Sequence, residues 1–260
     1  MPNLQVPTSL YMSAPVHTVR EDDSLQTVQR RLGELAISSL AVVSGEGRLV
    51  GVISQADLIR VGRRQAGSRG KAALLTVPDK KVSRRMASKV VTVGSQEPVA
   101  VAAKKMVESR FHRIFVVDSG ELVGVLSTKD VMLAIRDKRV NYPISQWMSS
   151  PVFTVRHNEP ISLATERLAK ARVTGLVVVV EGDLPVGLFT NREALEARDE
   201  PRDLPVEEAM SAAMLALPVD TPLHRAAAQA AELNVRRILA MSGVKMEGIL
   251  SGIDFARAAS

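Results

Sequence analysis

The 260-residue sequence contains no cysteine, so disulfides, thiolate metal sites and thiol nucleophiles are excluded. Aromatic residues make up only 3%, which leaves few rings for stacking nucleic-acid bases. The apolar run at residues 176–180, and the slightly longer one at 212–217, are far short of the roughly 20 residues a membrane-spanning helix needs. The N-terminus shows no basic stretch followed by an apolar core, and the expected location is the cytoplasm. No Gly-x-Gly-x-x-Gly occurs, and the nearest approach to a phosphate loop, residues 65–72, lacks the leading Gly and the closing Ser/Thr. The four histidines stand too far apart for metal-ligand spacing. Nothing places a base beside a nucleophile. The chain is therefore expected to be no enzyme and to require no metal or cofactor.

What is present is ample apolar material, 46% of the residues, enough for packed cores in a globular protein of this length. Net charge is +6 and unevenly spread. Residues 1–139 carry 22 Lys and Arg against 13 Asp and Glu, while residues 140–260 carry 12 against 15. Much of the excess falls in residues 60–89. Such a run reads as a solvated loop or as a surface for polyanions.

The dominant feature is a repeat. Met12-Ser-Ala-Pro-Val-His-Thr18 recurs as Met86-Ala-Ser-Lys-Val-Val-Thr92, Met148-Ser-Ser-Pro-Val-Phe-Thr154 and Met210-Ser-Ala-Ala-Met-Leu-Ala216. The methionines lie 74, 62 and 62 residues apart, so the first interval holds an insertion, placed in the Gly-rich basic stretch. The methionines themselves read as adaptable core filler. Ser24, Pro98, Pro160 and Pro222 follow at a constant offset and predict helix starts, with proline at the first helical position. In the first copy Leu25, Val28, Leu32 and Leu35 then fall on one helical face. Apolar runs at 40–43, 114–117, 176–180 and 238–241, each followed by a Gly-containing turn and a second run, predict a pair of strands. A short helix closes each copy. The spans are 8–62, 83–138, 144–198 and 206–260, with a basic linker at 63–82. One such unit buries too little surface to be stable alone. Copy one is expected to pack on copy two, and copy three on copy four.

Each copy ends on a second motif: Gly51-Val-Ile-Ser54-Gln-Ala-Asp57, Gly124-Val-Leu-Ser127-Thr128-Lys-Asp130, Gly187-Leu-Phe-Thr190-Asn-Arg-Glu193 and Gly248-Ile-Leu-Ser251-Gly-Ile-Asp254. Ser/Thr-x-x-Asp/Glu at a helix start is a capping box, which needs no ligand. A helix N-terminus also offers unpaired N–H groups to an anion, and a carboxylate can hold two vicinal hydroxyls. Twenty-seven residues after each methionine stands Ser39, Arg113, Gly175 or Arg237. Small residues and arginines alternate, so each presumed pair holds one guanidinium able to fork onto a phosphate.

The order of elements and the two motifs, recurring four times at nearly constant offsets, resemble the CBS-domain family across nearly the whole chain. The fold implied is α/β, four β-α-β-β-α units as two tandem pairs, or Bateman modules. The layout is similar to the regulatory gamma subunit of AMP-activated protein kinase and to stand-alone prokaryotic four-CBS proteins. The resemblance implies a non-catalytic regulatory module that binds AMP, ADP or ATP between paired units and signals to a separate protein in trans. It assigns ribose to Asp57, Asp130 and Asp254, and phosphate to Arg113, Arg237, His112, Ser54, Ser127, Thr128 and Ser251. The adenosyl pocket falls to Thr18, Thr92, Thr154 and Ser39. Copies one and two keep the pattern best. Glu193, with Thr190, carries one methylene more than the usual ribose acid, and Ala216 replaces the threonine in copy four. Association of two chains, a nucleic-acid role for residues 60–89 and a structural scaffold with vestigial sites stay open.

Overall fold

A computed structural model describes residues 4–65 and 74–260. Copy one comprises β1 (Thr18–Arg20), α1 (Leu25–Glu34), β2 (Ser39–Val43), β3 (Leu49–Ser54) and α2 (Gln55–Val61). The insertion supplies β4 (Arg63–Gln65) and β5 (Leu74–Thr76). Copy two contains β6 (Thr92–Val93), α3 (Val99–Ser109), β7 (Arg113–Asp118), β8 (Glu121–Ser127) and α4 (Thr128–Asp137). Copy three contains β9 (Thr154–Arg156), α5 (Ile161–Ala171), β10 (Gly175–Val179), β11 (Pro185–Thr190) and α6 (Asn191–Glu196). Copy four contains β12 (Leu215–Pro218), α7 (Leu223–Glu232), β13 (Arg237–Ser242), β14 (Lys245–Ser251) and α8 (Gly252–Ala259).

Every copy builds the same three-stranded sheet, its central strand parallel to the first strand and antiparallel to the last. The helix between first and central strands covers one face. In copy one Leu25, Val28 and Leu32 of α1 are buried against Leu40, Val42 and Ile53, as their three- and four-residue spacing requires. Ser24 caps this helix by accepting from the Thr27 amide at 3.2 Å. The prolines differ from expectation by one position: Pro98, Pro160 and Pro222 are N-caps with extended ψ of 146°, 144° and 136°. Their carbonyls accept the first helical bonds, from Ala102, Ala164 and Ala226. The basic linker is also more than a loop. β4 and β5 form a two-stranded antiparallel ladder, and Leu75, Val77 and Val82 pack on the core of copy one. Arg69 and Lys71 lie outside the described residues.

Copies one and two pair, as do three and four, through two reciprocal contacts. The segment leading into each copy bridges the first-helix N-cap of its partner: Pro7 with Pro98, Lys81 with Ser24, Pro143 with Pro222, and Pro205 with Pro160. The residue after each opening methionine then bridges the residue after the partner's closing-motif glycine, Ser13 with Val125, Ala87 with Val52, Ser149 with Ile249 and Ser211 with Leu188. The methionine side chains lie against those glycines. A Cβ on Gly51 would stand 2.8 Å from Met86 Sδ, and one on Gly187 would stand 2.6 Å from Met210 Sδ and 2.8 Å from the Ser211 carbonyl oxygen. The methionines are thus filler across the pair rather than within one unit.

The two pairs meet unequally. Between copies two and four, α3 lies on α8 and α4 lies on α7 and α8. Ala103, Met132 and Ile135 share one buried core there with Ala227, Ala230, Phe255 and Ala256. Alanines let the helix axes approach closely, so the two units share a continuous apolar interior. Copies one and three keep separate cores and touch through the short helices α2 and α6.

Candidate functional site

All four closing motifs form capping boxes. Asp57 Oδ2 accepts from the Ser54 amide at 2.9 Å and hydroxyl at 2.5 Å. Asp130 Oδ2 does the same for Ser127, both at 2.7 Å. Asp254 Oδ2 accepts from Ser251 at 2.7 and 2.8 Å, and Glu193 accepts from the Thr190 amide at 3.0 Å and from its hydroxyl. One oxygen of each acid is therefore committed to the helix. The second oxygen separates the copies. Asp57 Oδ1 takes Arg60 at 2.9 Å, and Asp254 Oδ1 takes Arg257 at 2.8 Å and Ser149 at 3.3 Å. Among the described residues, the second oxygens of Asp130 and Glu193 meet no donor. Burial raises the Asp130 carboxyl above its ordinary value, against the Ser127 bonds and the Arg113 and Lys129 cations that lower it.

Strand register gathers the predicted residues on one sheet face. Ser39 stands opposite Ser54, Arg113 opposite Ser127, Gly175 opposite Thr190, and Arg237 opposite Ser251. Thr18, Thr92 and Thr154, with Ala216, pair to the residue two further along the central strand. Side chains two apart on a strand share a face, as do paired residues on neighbouring strands. This face turns toward the pair partner, as Val177 and Leu188 of copy three show by packing on Leu239 of copy four.

The alternation of small residue and arginine has a geometric cause. Arg237 reaches across to copy three, where its Nη2 donates to the Thr174 carbonyl at 3.1 Å and hydroxyl at 3.2 Å. Its Nε is 3.1 Å from where a Cβ on Gly175 would be. Arg113 reaches into copy one in the same way, donating to the Ser38 hydroxyl at 3.2 Å. Among the described residues neither guanidinium forms a salt bridge. Desolvation lowers the pKa of both and Arg236 adds to it, while Asp130 opposes the shift at Arg113, and Glu193 and Asp254 oppose it at Arg237.

The sites of copies two and four also adjoin. A Cβ on Gly252, at the start of α8, would collide with Thr128, at the start of α4, and would stand 3.4 Å from His112 Nδ1. His112 has its pKa lowered, first by desolvation and then by Arg237, Arg236 and Arg113, with Asp254 opposing. Arg113, Arg236 and Arg237 thus form one cationic cluster around His112 that spans both modules. Three residues beyond those expected enter the site: Ser38, Thr174 and Arg236. They were legible as the position before the small/Arg alternation, which reads Ser38, His112, Thr174, Arg236, hydroxyl alternating with cation. Among the described residues, no group of three or more His, Asp or Glu could hold a metal, and no helix is long and apolar enough to cross a membrane.

The model of the CBS domain family matches residues 8–64, 80–137 and 144–200. The fourth unit, outside those matches, repeats their strand order and capping box. The chain is similar to the L-aspartate semialdehyde sulfurtransferase of Methanosarcina acetivorans, 34% identical over 41% of this chain and 21% of that protein. It is also similar to an uncharacterized 33.4 kDa protein in the ribosomal RNA operon of Thermofilum pendens, 27% identical over 66% of this chain and 57% of that protein. It thus spans about a fifth of the first relative and little more than half of the second. The fold is that of MJ1225 from Methanocaldococcus jannaschii, proposed as an archaeal homologue of g-AMPK, with a TM-score of 0.75 at 18% identity over 98% of this chain and 100% of that one. A conserved protein from Pyrococcus horikoshii matches with a TM-score of 0.71 at 20% identity over the same shares. The chain belongs to the CBS domain family, with four units in two pairs.

Proposed function

We propose that the protein is a non-catalytic regulatory module that binds AMP, ADP or ATP in the clefts between paired units and signals to a separate protein. The carrying observation is the pair of desolvated guanidiniums, Arg113 and Arg237, each crossing to its partner copy beside a helix N-terminus and, among the described residues, in direct ion contact with no carboxylate, Asp130 acting on Arg113 and Glu193 and Asp254 on Arg237 only at longer range. Neither fork is closed by a bidentate carboxylate among the described residues, and a phosphate fits a guanidinium fork. The ribose would lie on the second oxygen of the capping acid, best placed at Asp130. Ser127, Thr128 and their equivalents would meet phosphate, and the threonines of the first strands would flank the base. Ligand would act by binding two arrangements of the units with different affinity. Calorimetric titration with AMP, ADP and ATP, with S-adenosylmethionine and NAD as controls, tests the reading. Saturable heat with one nucleotide supports it. Silence with all five, together with an unmoved melting temperature, ends it.

A second reading rests on Lys80, Lys81, Arg84, Arg85 and Lys89, all exposed and, among the described residues, without an ion pair. A nucleic acid held there would dissociate steeply with salt as counterions return to the phosphates. A random-sequence duplex that stays unbound at low salt removes this reading.

A further inference from the structure

We infer that the two modules are joined by one fixed seam and one clasp, and that Arg198 is the clasp. The inference rests on the reading of the clefts as ligand sites only for what drives it, not for the motion itself. At the fixed side, α3 and α4 of copy two and α7 and α8 of copy four share one apolar core, with Met132, Ile135, Phe255 and the small Ala227 and Ala230 all buried. Sliding this seam would break a close-packed interior, which has no intermediate packing to offer.

The other side is built differently. Copies one and three keep separate cores, and the contact is made by α2 and α6, of seven and six residues. Its polar bond comes from Arg198, just past α6. Nη1 donates to the Ile59 carbonyl and Nη2 to the Gly62 carbonyl, both at the C-terminal end of α2. Those carbonyls are among the groups a helix leaves unpaired, and the helix dipole favours a cation there. Asp199 holds the same guanidinium at 3.2 Å. One side chain of copy three therefore closes the helix end of copy one.

The position of this contact gives it a consequence. α2 begins at the Ser54–Asp57 capping box and α6 at the Thr190–Glu193 capping box. The helices that meet at the clasp are the ones that carry the acids of copies one and three, so opening it moves these acids relative to each other. Hinge opening leaves one side packed while the other separates; among the described residues the seam is the packed side, and the α2–α6 contact with its Arg198 bonds is the side that can part. Ligand held by the acid of copy one or copy three then biases the clasp by its differential affinity for the open and closed arrangements.

Because the chain lacks cysteine, paired spin labels can be placed on it without background. One pair, Glu46→Cys with Asp183→Cys, spans copies one and three; the other, Glu121→Cys with Lys245→Cys, spans copies two and four. Arg198→Ala is expected to shift the first distance distribution to longer and broader values and leave the second unchanged, with Arg198→Lys in between. If both distributions stay fixed, or both move together, the clasp is refuted. AMP is then added to the Arg198-containing labelled protein. A change confined to the first pair supports ligand control of the clasp, and calorimetric binding with no change in either pair refutes that control. Absence of AMP binding refutes the ligand reading while leaving the Arg198→Ala result to decide the clasp alone.

Discussion

Arg237 lies over Gly175 of the neighbouring copy, its Nε 3.1 Å from the position a Cβ would take there, and it bonds to Thr174. The glycine is the space the arginine occupies. Gly175→Val should therefore push the guanidinium off Thr174 and weaken nucleotide binding in the second module about tenfold, roughly 1.4 kcal/mol. Binding in the first module should be untouched, and calorimetry on the variant reads both.

The methionine–glycine contacts predict a ranking of stabilities. At Gly124 the atoms a new Cβ would meet all belong to the Met12 side chain, whereas at Gly187 they include the Ser211 backbone oxygen at 2.8 Å. A side chain can rotate away and a bridged backbone cannot. Gly187→Ala should cost toward the upper part of the roughly 1–3 kcal/mol typical of overpacking, and Gly124→Ala toward the lower. Urea unfolding of the two variants checks the order.

Phe255 is 1% exposed in the core shared by copies two and four. Phe255→Ala should lose about 3–5 kcal/mol and, because the shared core couples the modules, separate a single unfolding transition into two. A calorimetric scan showing one unchanged transition would argue against the fixed seam.

The lowered pKa of His112 gives a signed pH dependence. The folded protein holds this proton less tightly than the unfolded chain, so its contribution to stability is present above the ordinary histidine value of about 6.5 and is lost as pH falls through the lower folded value. A phosphate placed among Arg113, Arg236 and Arg237 would offset the cations that help depress it. Nucleotide binding near pH 6 should then take up protons. Titrations in two buffers of different ionisation enthalpy measure that uptake, and His112→Asn should abolish it.

Much of this was legible in the sequence because the repeat samples each position four times. A single Ser-x-x-Asp says little, while four Ser/Thr-x-x-Asp/Glu motifs whose acids lie 44 or 45 residues after a methionine placed Asp57, Asp130, Glu193 and Asp254 on helix starts. The pairing of copies followed from size. The contact between Met86 and Gly51 was not legible, since each residue looks complete within its own motif and only the fold brings them together. Nor was the seam, because Ala227, Ala230 and Ala256 read as ordinary helix formers until the facing helix is known. Capping explains why the acids alone were ambiguous: all four do cap, and only their second oxygens distinguish one copy from another.

The most direct test of the nucleotide reading is a calorimetric titration of the Asp57→Ala/Asp130→Ala variant beside the unaltered protein. Loss of the two boxes should cost about 0.5–2 kcal/mol each in stability and leave the circular dichroism spectrum folded. The account predicts that the tightest adenine-nucleotide sites disappear. Unchanged affinity in a folded variant would mean that Asp57 and Asp130 cap their helices and do nothing more.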